Sequence, residues 1–259
     1  LGAFAAAIVA GVTGSFWLAL LASLCAAAIA GVLIEILIIR KLYRRDHLDQ
    51  VLATFALILL LSEGVRWLFG AFPLYLNIPS VLDGSILLPF NIIYSKYRMF
   101  IILIGILVAL GLYFLISKTR LGIRIRAGQS DRQMISALGV DISKLYTIVF
   151  AIGASLAGLA GAMIGAIQSV EVGMGEPILI LAFVVIVIGG IGSIKGAFIG
   201  SILVGVTDTI GRVFLPNFLK LFMENSDATS IGSSIGSMLI YILMALILLI
   251  KPSGLFGKN

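Results

Sequence analysis

The chain reads as an all-α, polytopic transmembrane helix bundle, and three observations carry that reading. It is 61% hydrophobic and only 12% charged over 259 residues, where soluble domains hold about 25% charged residues. Its mean hydropathy is +1.19. Apolar runs near the ~20 residues needed to cross a bilayer recur along its length, with basic residues clustered between them.

Eight membrane segments are expected, at about 1–11 (partial), 17–39, 50–69, 99–117, 145–168, 178–193, 197–213 and 234–250. They are taken together as one transmembrane domain, 1–259. Leucine stands at position 1 and the first apolar run is short, so the chain reads as truncated at its start. The two runs at 178–193 and 197–213 are short for a span, and glycines crowd the junction. Broken or short helices are therefore expected near 189–200.

Charge orients the bundle. Arg40, Lys41, Arg44 and Arg45 form one basic cluster, and Lys118, Arg120, Arg124, Arg126, Arg132 and Lys144 form another. Lys251 and Lys258 follow in the tail. Short basic loops stay in the cytoplasm. Two crossings separate the first two clusters and four more precede the tail, so parity puts all three, and the C-terminus, on that side. The 70–98 stretch with Pro73, Pro79 and Pro89, the 169–177 loop with Glu171 and Glu176, and the polar 214–233 loop, long enough to form a short surface helix, then lie outside. The net charge of +6 is thus topological. Without an accompanying nucleic-acid-reading motif it does not indicate DNA or RNA.

The basic stretch 118–144 is too polar for lipid, yet it carries apolar residues at helical spacing. Ser130 or Asp131 can cap a short helix running to Leu138. Gly139 stands where a left-handed residue ends a helix. Met134, Ile135 and Leu138 would share one apolar face. Such a helix either docks in a groove on a soluble partner or lies flat on the lipid surface, which the flanking arginines also favour.

Glycine is the second signal, with 29 in the chain. Ala157, Gly161 and Gly165 recur every four residues, as do Gly192, Gly196 and Gly200. Small residues at that spacing let helices approach closely. In the run from Gly189 to Gly200, however, Gly189, Gly190, Gly192 and Gly196 depress helix propensity together. This is either a tight turn between helices or a helix break lining a conduit, since broken transporter helices mark substrate regions. On the second reading Gln168, Ser169, Gly189, Gly190, Gly192 and Ser193 are the candidates to line a translocation path.

Chemistry-bearing motifs are missing. In the Gly-rich run Lys195 is followed by Gly196, not Ser or Thr, so the P-loop pattern fails. His47 is the single histidine and reads as a solvated loop residue. No His, Cys, Asp and Glu set has metal-ligand spacing. Cys25, the single cysteine, reads as a small packing residue. Acids in apolar segments are paired by spacing: Glu35 with Arg40, Glu63 with Arg66, Asp208 with Arg212. These serve either as local charge pairs or as a polar lining or interhelical lock.

Three blocks carry a family resemblance. They are TRLGIRIRAGQSDRQMISALGVDISKLYTIVFAIGASLAGLAGAM at 119–163, EPILILAFVVIVIGGIGSIKGAFIGSILVGVTDTIGR at 176–212, and KPSGLFG at 251–257. They resemble the membrane permease subunits of bacterial ABC importers for branched-chain amino acids, and the H-type permease more than its M-type partner.

The resemblance implies a permease subunit of the bacterial inner membrane that forms a path for branched-chain or other small hydrophobic amino acids. It implies partners: a second permease of the M type, two cytoplasmic P-loop ATPases, and a periplasmic substrate-binding protein. It implies no cofactor on this chain, with ATP and magnesium held by the ATPases, and no enzyme activity of its own. It also implies that the 118–144 loop holds the coupling helix. Placing the family's signature glycine on Gly139 sets Gln133, Met134 and Ile135 where Glu-Ala-Ala usually stands, with Ala137 retained. Asp131, Gln133, Met134, Ile135, Ala137, Leu138 and Gly139 are then the expected ATPase-coupling residues. A urea, amide or sugar permease of the same superfamily is the alternative, as is an ion-coupled secondary transporter.

Overall fold

The computed structural model describes residues 1–43, 45–88, 92–190, 192–221 and 225–257. Arg44, Pro89 and Lys258, assigned above to loops and the tail, lie outside them, as does the side chain of His47. Among the described residues six helices are long and apolar enough to cross a membrane, and Gly2–Thr13 and Glu176–Gly189 are shorter apolar helices. Each of the eight expected segments is helical over most of its length. The chain divides into two compact units, Leu1–Met174 and Gly175–Asn259.

The first unit is built on α1 (Gly2–Thr13), α2 (Phe16–Ile34) and α8 (Ile142–Gly165). α2 runs on through a π-helical turn, Glu35–Ile39, into α3 (Arg40–Leu42). Small residues let these backbones touch. A Cβ on Gly158 would strike Ala27 and the backbone of Ser23, and one on Gly31 would strike Ala154. Ser23 Oγ donates to the Gly158 carbonyl at 2.7 Å, fully buried. Of the expected ridge, Gly165 presses on Val170, whereas Gly161 has only ordinary contact with Ala3. The closest approach falls at Gly158, one residue past Ala157. Phe16, Leu20, Tyr97 and Met163 fill the adjoining core, where Tyr97 Oη donates to the Met163 carbonyl at 2.9 Å.

Cys25 is exposed, not packed: it faces away from α8 on a helix whose partner side is carried by Ser23, Ala27 and Gly31. α4 (His47–Phe69) and α5 (Lys96–Lys118) present apolar flanks almost wholly uncovered by the chain itself, as helices bathed in lipid do. His47 is the first residue of α4, so its backbone is helical, not part of a loop.

The 70–98 stretch is more ordered than its prolines suggest. β1 (Ser85–Leu88) and β2 (Ile92–Ser95) pair antiparallel, with Ile86 opposite Tyr94. Leu74 and Val170 exchange backbone hydrogen bonds of 3.0 and 2.8 Å, tying this stretch to the segment after α8.

The second unit is a three-helix assembly of α9 (Glu176–Gly189), α10 (Ile194–Leu219) and α11 (Asn225–Ile250). Val184, Ile188, Val204, Ile240 and Ile247 form its core. α10 and α11 meet backbone to backbone, Gly211 on Gly236 and Gly232 on Pro216. Two expectations are corrected. α10 has 26 residues and is long, not short; of the two, α9 with 14 falls below a span at about 21 Å. And 214–233 is not a loop, because helix continues through Pro216 to Leu219 and resumes at Asn225. Asn217, Asn225, Ser226, Asp227, Thr229 and Ser230 lie within the helix ends; 222–224 lie outside the described residues.

Candidate functional site

The basic segment between α5 and α8 folds as two helices. Thr119 caps α6 (Arg120–Ser130), its Oγ1 accepting from Gly122 N at 3.1 Å. Gly122 lies so close to the Ile116 backbone that a Cβ would overlap its carbonyl. α6 therefore leaves α5 through a sharp bend. Arg126 Nη1 donates to the Ile116 carbonyl, answering the bare carbonyls of the α5 C-terminus with a cation.

α7 (Arg132–Ala137) is short but closed at both ends. Asp131 Oδ1 accepts from Gln133 N at 2.9 Å and Met134 N at 3.0 Å, so the cap falls on Asp131, one of the two candidates. At the other end Gly139 has φ 82°. Its N–H donates to Ser136 O at 3.0 Å and Val140 N–H to Ile135 O at 3.3 Å, the paired bonds of a Schellman stop. One helical turn is marginal alone; these two caps hold it.

The expected apolar face divides. Ile135 is 7% exposed and turned into the chain, whereas Met134 is 61% and Leu138 75% exposed. The correction follows from spacing: Met134 and Leu138 are four apart and share a face, while Ile135 is about 100° around the helix from Met134. Gln133, Ala137 and Gly139 are also exposed.

Asp141 then caps α8, its Oδ1 accepting from Lys144 N at 3.1 Å. That backbone amide holds its carboxyl below the usual range. The sequence reading missed this cap, though an Asp before an apolar run is its ordinary signature.

Beside α7 lies a polar and aromatic cluster. The Arg132 guanidinium sits 5.2 Å from the centre of the Tyr146 ring. Tyr146 makes an edge contact with Tyr43 at 5.1 Å between ring centres. Burial pushes the Tyr43 phenol up. One residue on, Thr147 reaches Glu35 and Arg40, with Thr147 Oγ1 2.7 Å from Glu35 Oε2 and 2.7 Å from Arg40 Nη2. Arg40 grips both Glu35 oxygens, at 3.0 and 3.3 Å.

The other two expected charge pairs form as well, Arg66 with Glu63 at 2.9 Å and Arg212 with Asp208 at 2.7 Å.

The six path candidates fall in different units. Gln168 and Ser169 border a cavity of about 590 Å³ in the first unit, together with Tyr75, Asn77 and Asp83 and the apolar Leu76. Ser169 Oγ donates to the Glu171 carboxylate beside it. Gly189, Gly190, Gly192 and Ser193 form the elbow between α9 and α10. Gly190 and Gly192 take φ 94° and 84°, and Ser193 Oγ caps α10 by accepting from Gly196 N at 3.0 Å. The C-terminal segment closes over this elbow. Leu255 N donates to Ile188 O at 2.8 Å and Phe256 N to Gly189 O at 3.1 Å, and a Cβ on Gly190 would overlap Gly257. The glycine run thus forms a turn between α9 and α10.

Long apolar helices with uncovered flanks define a multi-pass membrane protein, and the capped basic segment gives it a polar face at one end of α5 and α8. The chain belongs to the family described as branched-chain amino acid transport system / permease component, whose model matches residues 1–248. It is 32% identical over 186 residues to the high-affinity branched-chain amino acid transport system permease protein BraD of Pseudomonas aeruginosa, covering 70% of this chain and 55% of that protein. It is 29% identical over 245 residues to the probable branched-chain amino acid transport permease protein LivH of Methanocaldococcus jannaschii, covering 90% and 71%. The Escherichia coli LivH permease is 31% identical over 157 residues, covering 60% and 46%. The chain thus spans about half to seven tenths of the length of these relatives. No solved structure matches it.

Proposed function

We propose that the chain is the permease subunit of an ATP-binding-cassette importer, forming the path for branched-chain or other small hydrophobic amino acids across the bacterial inner membrane. The observation that carries this reading, beyond family membership, is α7: a helix stopped at both ends that holds Met134 and Leu138 out, 61% and 75% exposed, with no covering from its own chain. Exposed apolar residues four apart on a rigid turn suit a groove on a soluble partner.

The roles follow. Two cytoplasmic P-loop ATPases bind ATP and magnesium and grip α7 through Met134 and Leu138, with Gln133 and Ala137 beside them. Asp131 and Gly139 fix the helix ends. This chain holds no cofactor and catalyses nothing itself. A second permease, a different M-type chain, completes the path, and a periplasmic binding protein delivers substrate. The basic loops and C-terminus face the cytoplasm. The contact of residues 255–257 with Ile188, Gly189 and Gly190 agrees with this, because parity puts the tail and the α9–α10 turn on one side. On that topology the cavity bordered by Gln168 and Ser169 opens to the periplasm. It receives the amino acid there, with polar groups for the charged ends and Leu76 for the side chain.

The test is affinity purification of the full-length protein from native membranes, with mass spectrometry of what accompanies it. Two ATPases and a second permease are expected, and the ATPases should be lost from Met134→Asp/Leu138→Asp. Recovery of the chain alone, where a known importer stays intact, would sink the proposal.

A further inference from the structure

The cluster joining α7, α8 and the end of α2 is the part of the first unit that helix packing alone does not account for. Glu35 is 0% exposed, an acid on a helix that otherwise packs through Ser23, Ala27 and Gly31. Buried acids in membrane helices are costly and are kept where they act.

The backbone is altered to bring its partner round. In an α-helix, residues five apart point about 140° away from each other. Here Arg40 N–H donates to Glu35 O, five residues back, closing a π turn. That turn carries the Arg40 guanidinium over Glu35, where it binds both carboxylate oxygens. π turns inside α-helices recur at functional sites. Thr147 then locks the pair to α8 through 2.7 Å contacts with each partner. One residue away on α8, Tyr146 stacks edge-on to Tyr43, which follows α3, and its ring takes the Arg132 guanidinium from the first turn of α7.

We infer that Tyr146, with Arg132, Tyr43 and the Glu35–Arg40–Thr147 clamp, is a positioning device that joins α7 to α2 and α8 as one body. A push on α7 is then delivered to both helices instead of being absorbed by the 138–141 link. The covalent path from α7 to α2 is long, since α4, α5 and α6 intervene. The side-chain path is Arg132, Tyr146, Tyr43, and each step is 5.2 Å or less between centres. The residues are positioning groups and touch no substrate. That the push comes from an ATPase rests on the importer reading; the joining of the helices does not.

Two readouts separate these. On a Cys25→Ser background, spin labels at Ser136 and Lys41 report the α7–α2 distance in the purified full-length chain. One narrow distribution is expected for the parent and for Tyr146→Phe, which keeps the ring. Tyr146→Leu and Arg132→Gln should broaden it at least twofold. Arg132 is exposed, so its variant changes no core. Equal widths in all four would overturn the inference. In proteoliposomes holding the complete importer, Tyr146→Leu should lower amino acid uptake per ATP hydrolysed at least fivefold, with hydrolysis within twofold of the parent and Tyr146→Phe restoring coupling. Parallel loss of uptake and hydrolysis would mark a merely structural role and overturn it. Absence of ATP-driven uptake in the parent, with the distance result as expected, would refute the importer reading while the joining of α7 to α2 stands.

Discussion

Thr147 on α8 stands 2.7 Å from Glu35 on the π turn after α2, and the same hydroxyl accepts from Arg40. A single hydroxyl thus joins two helices through an ion pair whose members differ in exposure, Glu35 at 0% and Arg40 at 37%. That asymmetry makes the two partners unequal under mutation.

Arg40→Ala leaves a wholly buried carboxylate without its cation and should cost on the order of 3 kcal/mol. Glu35→Ala leaves an arginine that can extend its head toward water and should cost about 1 kcal/mol. Thr147→Val, which keeps the shape, should lie near the smaller figure. Denaturation of the purified protein in detergent, followed for the three variants, orders them; a Glu35→Ala cost larger than that of Arg40→Ala would contradict this account.

The division of the α7 apolar face gives a second contrast. Ile135→Ala removes a buried side chain and should destabilise by about 2–4 kcal/mol, whereas Met134→Ala and Leu138→Ala should change stability by less than about 0.5 kcal/mol. Melting temperatures of the three show the contrast directly. Equal shifts would mean that the solution protein does not hold Ile135 inside.

Asp141 ties stability to pH. Its carboxyl is held below the usual carboxylate range because the Lys144 amide binds the charged form. Its contribution is therefore complete above pH ~4 and fades as pH falls through the depressed folded-state value. Asp141→Asn should be less stable than the parent at neutral pH, and the gap should close only in strong acid. A gap that widens on acidification would reverse the sign and rule out this cause.

Gly190 and Gly254 test the elbow. Either residue changed to Ala meets backbone and requires a positive φ, so each should lower the melting temperature clearly. The double variant should cost much less than the sum, because both disrupt one contact. Additive losses would show that the tail and the elbow are independent.

The sequence made the eight helices legible because a bilayer imposes length and hydrophobicity on every span. The Asp131 cap and the Gly139 stop were legible for a local reason: each is a residue-type requirement read within six positions. What could not be read depends on contacts between distant segments. Gly158 outweighs Gly161 because Ser23 and Ala27, more than a hundred residues earlier, press on it. The π turn at Glu35–Ile39 has no composition of its own; the Glu35 and Arg40 spacing shows a shared face only once the turn is known. The pairing of Ser85–Leu88 with Ile92–Ser95 was hidden by nearby prolines, and the helical ends at Leu219 and Asn225 by polar residues. The packing of Ile188, Gly189 and Gly190 could not be read because the residues that meet them, 254–257, lie far along the chain.

That covering sets an order of synthesis. α9 leaves the ribosome some seventy residues before the segment whose amides satisfy its last carbonyls at Ile188 and Gly189. Until Leu255 and Phe256 have been translated, the elbow has no lid and the second unit has no finished state to settle into. Residues 255 and 256 therefore finish the backbone hydrogen bonding of the second unit, and a chain lacking them would leave the Ile188 and Gly189 carbonyls bare.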